Sequence, residues 1–273
     1  MLQKKTVYPR NLPSGWYPET EEEILSSIAS WLPAREKKAK LCVVPHAGWF
    51  FSGALAWQGI TALSPAKTLI VLGGHLSPHS PILASFCDAF ETPLGPLETD
   101  TALLEEISSE IHLQPDTPGD NTTEIQLPLI KHAFPQAKAL CLRVPPGSLA
   151  LALGGLLARL AHEGRSLAVV ASTDLTHYGP GYGFAPKGTG PSAEKWVKEE
   201  NDAPFLAALA AGDYNEALRL GLAHKAACSA GAAAAAALCA GELQLRGRIA
   251  AYATSLDKHT ASSFVGYGVV VYE

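Results

Sequence analysis

The sequence predicts an α/β fold: a central, mostly parallel or mixed β-sheet flanked by helices. Three observations predict it. Short, almost wholly apolar runs have the all-round hydrophobicity of strands covered on both faces. Longer stretches of helical character alternate with them. Glycine and proline punctuate nearly every junction. No repeat, low-complexity linker or shift in composition divides residues 1–273, so a single domain is expected over the whole chain.

Composition agrees with a large buried core. Hydrophobic residues make up 47% of the chain and charged residues 17%, which argues against wholesale disorder. The net charge is −5, and the one basic run, residues 35–38, reads as a solvated loop, so nucleic acid is excluded as a partner. Residues 1–10 carry lysines with no apolar stretch behind them, unlike a signal peptide. The longest apolar tract, around 226–240, is alanine-rich and too short to span a bilayer, so no membrane association is expected. Five cysteines, widely spaced and without a Cys-x-x-Cys pair, fit a reducing cytoplasm better than a disulfide framework.

The elements follow in order. Residues 19–32 begin with acids and stop before Pro33, as a helix should. Residues 40–45 form a buried strand, Ser52-Gly53 opens a helix to about 63, and residues 67–72 form a second buried strand, a β-α-β unit. Residues 76–100 hold one or two short strands in a long loop, 101–109 a short helix and 111–122 a polar loop. A helix over 124–134 should kink at Pro128. A strand at 138–144, a helix at 148–162 and a strand at 167–172 come next. After a Gly/Pro-rich loop, helices are expected at 192–211, 213–221 and 228–240, and strands at 246–254 and 264–272 close the chain.

The chemistry gathers just past the strand ends, where open α/β sheets form their ligand crevices. His46 follows Val43-Val44-Pro45, and His75 follows Leu72-Gly73-Gly74. One strand-end histidine is ordinary. Two, on neighbouring parallel strands about 5 Å apart, suggest a shared metal site. His79 competes with His75, since both lie in one loop. In Ser172-Thr173-Asp174-Leu175-Thr176-His177-Tyr178, Asp174 and His177 stand three apart. In a tight turn or first helical turn they share a side, and the acid can orient the imidazole as a general base. A helix cap is the simpler role for Asp174. Cys228 stands at the start of a predicted helix, where a thiolate is favoured as metal ligand or nucleophile; a small buried core residue is the competing reading. Asn121 and Glu124 read first as a helix N-terminus, and Trp16, Tyr17 and Trp49 as pocket walls or packing. The glycine-rich stretches match neither a P-loop nor a dinucleotide fingerprint.

Pro45-His46-Ala47-Gly48-Trp49, Gly73-Gly74-His75, Thr92-Pro93-Leu94, Glu124-x-x-Leu127-Pro128, Ser172-x-Asp174-x-x-His177-Tyr178 and Tyr252-Ala253-Thr254-Ser255 occur in this order. With them the chain resembles the Memo-like family, also called AmmeMemoRadiSam system protein B, from about Ser14 to its end. The resemblance implies a fold similar to class III extradiol dioxygenases. It implies a metal site on His46, His75 and Cys228, with Asp174 and His177 beside it, and functional association with a radical-SAM protein. The chain departs from the family at three places: Gly-Gly-His is one residue shorter than the usual Gly-Pro-x-His, Asn121 replaces a histidine, and Ser229 replaces a glycine.

Two imidazoles and a thiolate on separate segments leave open coordination positions, as catalytic rather than structural sites do. The expectation is therefore a metal-dependent, dioxygenase-like redox enzyme, with iron favoured over copper or zinc and proton transfer by His177 and Asp174. Two other readings stand beside it. One is a metal-free thiol enzyme using Cys228 with His177 as base. The other is a non-catalytic metal carrier or binding protein for a peptide or partner.

Overall fold

A computed structural model describes residues 5–33, 36–117 and 119–273. The first four residues of the segment read as lacking a leader, and Arg35 of the basic run, lie outside the described residues. The strands are β1 (Val7–Tyr8), β2 (Leu41–Val44), β3 (Thr68–Gly73), β4 (Ile82–Ala84), β5 (Ala89–Phe90), β6 (Leu97–Glu98), β7 (Leu113–Pro115), β8 (Lys138–Arg143), β9 (Leu167–Ser172), β10 (His177–Tyr178), β11 (Gly247–Thr254) and β12 (Phe264–Tyr272). The helices are α1 (Glu21–Ala29), α2 (Trp49–Thr61), α3 (Thr101–Glu110), α4 (Asn121–Glu124), α5 (Leu127–Ala133), α6 (Ser148–His162), α7 (Pro191–Trp196), α8 (Ala203–Ala210), α9 (Tyr214–Ala223) and α10 (Ala230–Glu242).

Among the described residues one mixed sheet dominates, in the order β10-β12-β2-β9-β3-β8-β4-β7, with β11 paired to β12. Its centre, β2-β9-β3-β8, is all parallel. β12 runs antiparallel to β2, and β4 runs antiparallel to β8. The strands carrying His46 and His75 are thus not neighbours, contrary to the β-α-β reading, which placed them side by side. The chain skips a place between β2 and β3, and β9 later fills it, pairing with both. The carboxyl end of β9, with Ser172 and Asp174, therefore lies between the two histidines.

Side chains alternate between two apolar cores, one on each face. Leu41, Val43, Ile70 and Leu72 enter one, which α6 and α10 cover. Cys42, Val44, Leu69 and Val71 enter the other, under α1, α2 and α5. Burial on both faces is why these strands read as unbroken apolar runs. The alanines of α10 let it press against α6: a Cβ on Gly154 would stand 2.5 Å from the Ala235 carbonyl oxygen. Small residues there exchange side-chain area for close backbone approach.

Several elements differ from the sequence reading for local reasons. Pro128 does not kink one helix; it stands in the first turn of α5, after α4 has ended, where its missing N–H costs nothing. The 111–122 loop contains β7 and the start of α4, and 76–100 holds three short strands. The helix expected over 192–211 is α7 and α8 joined by a π-helical turn, Val197–Asp202. His177 lies in β10, paired with Val265, and not in a helical turn. No helix among the described residues is long and apolar enough to cross a membrane.

Candidate metal centre

Three segments converge at the carboxyl edge of the parallel strands. The loop after β2 carries His46, the loop after β3 carries His75, and the turn before α10 carries Cys228. One ligand atom from each lies within 4.8 Å of the other two. A single ion holding three such donors at about 2.0–2.3 Å spaces them within that range. His46 Nε2 and Cys228 Sγ are 3.1 Å apart. The two imidazoles stand edge to face, with centroids 5.0 Å apart.

Each candidate ligand is held from behind. His46 is buried; its backbone N–H donates to Asp174 Oδ1 at 2.7 Å, and its Nδ1 lies 3.2 Å from Ser172 Oγ. Gln126 completes this support: its Nε2 donates to Ser172 Oγ at 3.1 Å and to the Pro45 carbonyl at 2.7 Å. Asn121 donates to the His46 carbonyl at 2.9 Å. His75 Nδ1 donates to Asp120 Oδ2 at 3.2 Å, which leaves Nε2 for the Cys228 side of the site. Asp120 is itself gripped by Arg143, whose guanidinium also reaches Asp116 and the Gly74 carbonyl. The other Asp120 oxygen caps α4 by accepting from the Thr122 N–H at 2.9 Å. One carboxylate thus starts a helix and aims a candidate ligand.

Two backbone features bring the third segment in. His75 has φ 58, left-handed for a non-glycine residue, at a cost of about 1–2 kcal/mol. At Gly74 a Cβ would meet Ser229 Oγ at 2.3 Å and Ser229 Cα at 2.7 Å. The chain therefore needs glycine where the His75 loop touches the Cys228 turn. Thr173 Oγ1 receives the Ser229 N–H at 3.0 Å, and the Asp174 carbonyl receives the Cys228 N–H at 3.2 Å.

The electrostatics favour a thiolate. Burial pushes the Cys228 thiol up, but His46 beside it, with hydrogen bonds from His46 and His75, outweighs burial and brings it down to about 5. Burial lowers both imidazoles, and again the neighbours prevail: Cys228 and Asp174 raise His46, and Asp120 with Cys228 raises His75. The other four cysteines are buried. The helix-start argument for Cys228 is displaced, since α10 begins at Ala230 and the imidazoles do the work.

Asp174 does not cap a helix. Burial raises its carboxyl, while His46 and His177 outweigh that and hold it below the usual range. Its second oxygen lies 3.7 Å from His177 Nε2, ion-pair range but longer than a hydrogen bond. His177 Nε2 is buried without a hydrogen-bond partner. His177 makes no hydrogen bond to Cys228; His46 is the imidazole on the sulfur.

A cavity of about 610 Å³ opens over His46, His75, Asp174 and His177. Trp16 and Asn121 line it, as the sequence reading allowed, together with Phe50, Tyr182, His259 and Tyr267, which that reading passed over. Four other candidates lie elsewhere. Trp49 and Tyr17 are buried and outside this lining, on the wall of a neighbouring cavity; the Trp49 indole donates to the Ile125 carbonyl at 3.2 Å. Glu124 is buried and accepts from the Asn11 and Leu12 N–H groups and the Tyr17 hydroxyl, so it clamps the N-terminal segment. His79 is exposed and outside both the triad and the cavity lining. Asp120, Arg143, Ser172 and Gln126 were not singled out from sequence; the only signal for Asp120 was its place just before a helix start.

Comparisons with known proteins bear on the family and the fold. A sequence model described as Memo-like protein matches residues 12–271. A MEMO1 family protein of Methanosarcina barkeri is 32% identical over 171 residues, 60% of this chain and 64% of that protein. One from Aquifex aeolicus is 30% identical over 175 residues, covering 60% and 65%. The memo-1 homolog of Caenorhabditis elegans is 25% identical over 186 residues, covering 63% and 53%. Each of these matches thus spans less than two thirds of the relative's own length. Among solved structures, an uncharacterized protein from Escherichia coli K12 aligns over 86% of this chain and all of its own, with TM-score 0.53 and 13% identity. That likeness is one of fold alone. With the family match running through every segment that supplies His46, His75 and Cys228, the chain belongs to the Memo-like family.

Proposed function

We propose that the protein is a metal-dependent redox enzyme in which His46, His75 and Cys228 hold the ion and His177, paired with Asp174, moves protons. The observation that carries this reading is the convergence of two imidazoles and a low-lying thiol from three separate segments, each held by its own hydrogen-bond partners. The donor set fits a borderline or soft ion, with iron first and copper or zinc as alternatives. When bound, iron or copper supplies electron transfer and activation of a small oxidant, whereas zinc supplies Lewis acidity alone.

The chain's own residues do the rest. Trp16, Phe50, Tyr182 and Tyr267 present aromatic surface to a ligand in the large cavity. His177 has an unpartnered Nε2 that accepts a proton, and the Asp174 carboxylate at 3.7 Å stabilises the resulting imidazolium. Asp174 also fixes His46 through its N–H, so one carboxylate keeps the proton-transfer group and a ligand in register.

Metal analysis of protein purified without oxygen tests the reading. Stoichiometric metal, lost in both His46→Ala and Cys228→Ser, is expected. Absence of metal together with fast alkylation of Cys228 would replace it with a thiol enzyme, whose base would then be His46. Metal without turnover, with a specific bound partner, would make the protein a carrier or binding module. Association with a radical-SAM protein belongs to the same proposal and is tested by co-purification.

A further inference from the structure

A second cavity, of about 780 Å³, lies beside the large one. The two share Ser14, Gly15, Trp16 and Phe50, so a ligand can reach from one into the other across that saddle. The second cavity holds none of the ion-site residues, and its size is that of an organic-ligand pocket.

Its wall is aromatic and fixed in place. Trp31 and Trp49 meet at 65° with ring centroids 5.3 Å apart, a corner rather than a stack. Gly53 makes room for Trp31: a Cβ there would stand 2.7 Å from Trp31 Cη2. The Trp49 indole is tied to the Ile125 carbonyl, so that side of the corner cannot swing away. Trp16 and Trp31 are each half-buried and keep part of a ring open to the cavity. Tyr17 also reaches this wall, but the Arg10 guanidinium already stands over its ring, 5.2 Å from the centroid.

Among the described residues three charged side chains complete the wall: Glu19, Glu23 and Lys258. Glu23 Oε2 accepts from the Thr20 N–H at 3.2 Å and the Thr20 hydroxyl at 2.9 Å, which leaves Oε1 for a ligand. Those bonds hold the Glu23 carboxyl below the usual range. The Glu19 carboxylate and the Lys258 ammonium make no hydrogen bond or ion pair among the described residues. Two carboxylates therefore face one ammonium across aromatic surface. The face of an indole attracts a cation and repels an anion, so rings and carboxylates favour the same sign of ligand.

We infer that the second cavity is a binding site for a small organic ammonium group, held between the Trp16, Trp31 and Trp49 rings and the Glu19 and Glu23 carboxylates. The site uses no metal ligand, so its test is separate from the metal assay above.

Three probes of closely similar shape and different charge decide it: choline, its neutral carbon analogue 3,3-dimethylbutan-1-ol, and the anion 3,3-dimethylbutanoate. Each is titrated at constant ionic strength against tryptophan fluorescence. Choline should give a saturable change and bind about tenfold tighter than the alcohol, with the anion weakest. Glu19→Gln combined with Glu23→Gln should weaken choline by at least about fivefold and leave the alcohol unchanged. Glutamine at position 23 still closes the capping box, so α1 keeps its start. Trp31→Leu should abolish the preference for choline, and Trp31→Phe should retain part of it. The assignment is overturned if choline gives no saturable change or binds no tighter than the alcohol. It is equally overturned if choline affinity is unchanged in the double glutamine variant or in Trp31→Leu.

Discussion

At the scale of single residues, the site is built by carboxylates that each hold two things at once. Asp174 ties the His46 backbone and faces His177; Asp120 caps α4 and aims His75. The second of these yields a direct expectation. Burial raises the Asp120 carboxyl, but the His75 and Thr122 hydrogen bonds outweigh it and hold it at about 2, so it stays ionised at neutral pH. Asp120→Asn should keep the helix cap yet weaken the grip on His75, lowering metal affinity by about 10–100-fold, as loss of a ligand's supporting partner does. Competition against a chelator measures it; an unchanged affinity would mean that His75 needs no such support.

At the scale of elements, the π-helical turn between α7 and α8 is the feature most tied to the site. It turns Asp202 inward, where the carboxylate accepts from the Thr176 N–H at 3.2 Å, the Thr176 hydroxyl and the Tyr252 hydroxyl at 2.9 Å. Asn201 beside it donates to Thr176 Oγ1 at 2.8 Å. The turn thereby fixes the residue preceding His177. Burial is the main cause that pushes Asp202 up to about 6, with its hydrogen bonds opposing. A carboxyl whose folded value exceeds its unfolded one stabilises the fold below about pH 4, and that contribution is lost as pH rises through about 6. Wild-type stability relative to Asp202→Asn should therefore fall by about 3 kcal/mol across that window. Urea unfolding at stepped pH reads the difference, and parallel pH profiles for the two proteins would refute it.

At the scale of the whole molecule, the N-terminal segment closes the cavity from outside the sheet. Trp16 lines the cavity, its carbonyl accepts the Trp49 N–H at 2.8 Å, and Glu124 anchors residues 11, 12 and 17. Glu124→Ala leaves the Tyr17 hydroxyl and two N–H groups without their acceptor. A loss of about 2–4 kcal/mol should follow. Proteolytic nicking near residues 9–19 should rise before global unfolding, because the strands of the central sheet do not depend on this clamp. Cooperative loss with no early nicking would show instead that the segment belongs to the core.

Sequence by itself determined the long strands of the sheet, most of the long helices and the identity of the converging side chains. Apolar runs such as 41–44 and 68–73 are short, β-branched and bounded by glycine or proline, as strands buried on both faces are, and strand ends in a parallel sheet share one edge. Motif content was enough to bring His46, His75 and Cys228 into one hypothesis. What the tertiary structure decided was order and support. Whether β2 and β3 touch is a question of long-range pairing, and a local pattern carries no information on which later strand fills a gap; β9 fills it and places Asp174 between the histidines. The choice of His75 over His79 depends on a left-handed backbone and on Asp120, 45 residues away. The fate of Glu124 likewise turns on partners more than a hundred residues distant. Such contacts arise from packing of separate segments, which is why residue types were legible in the chain and their partners were not.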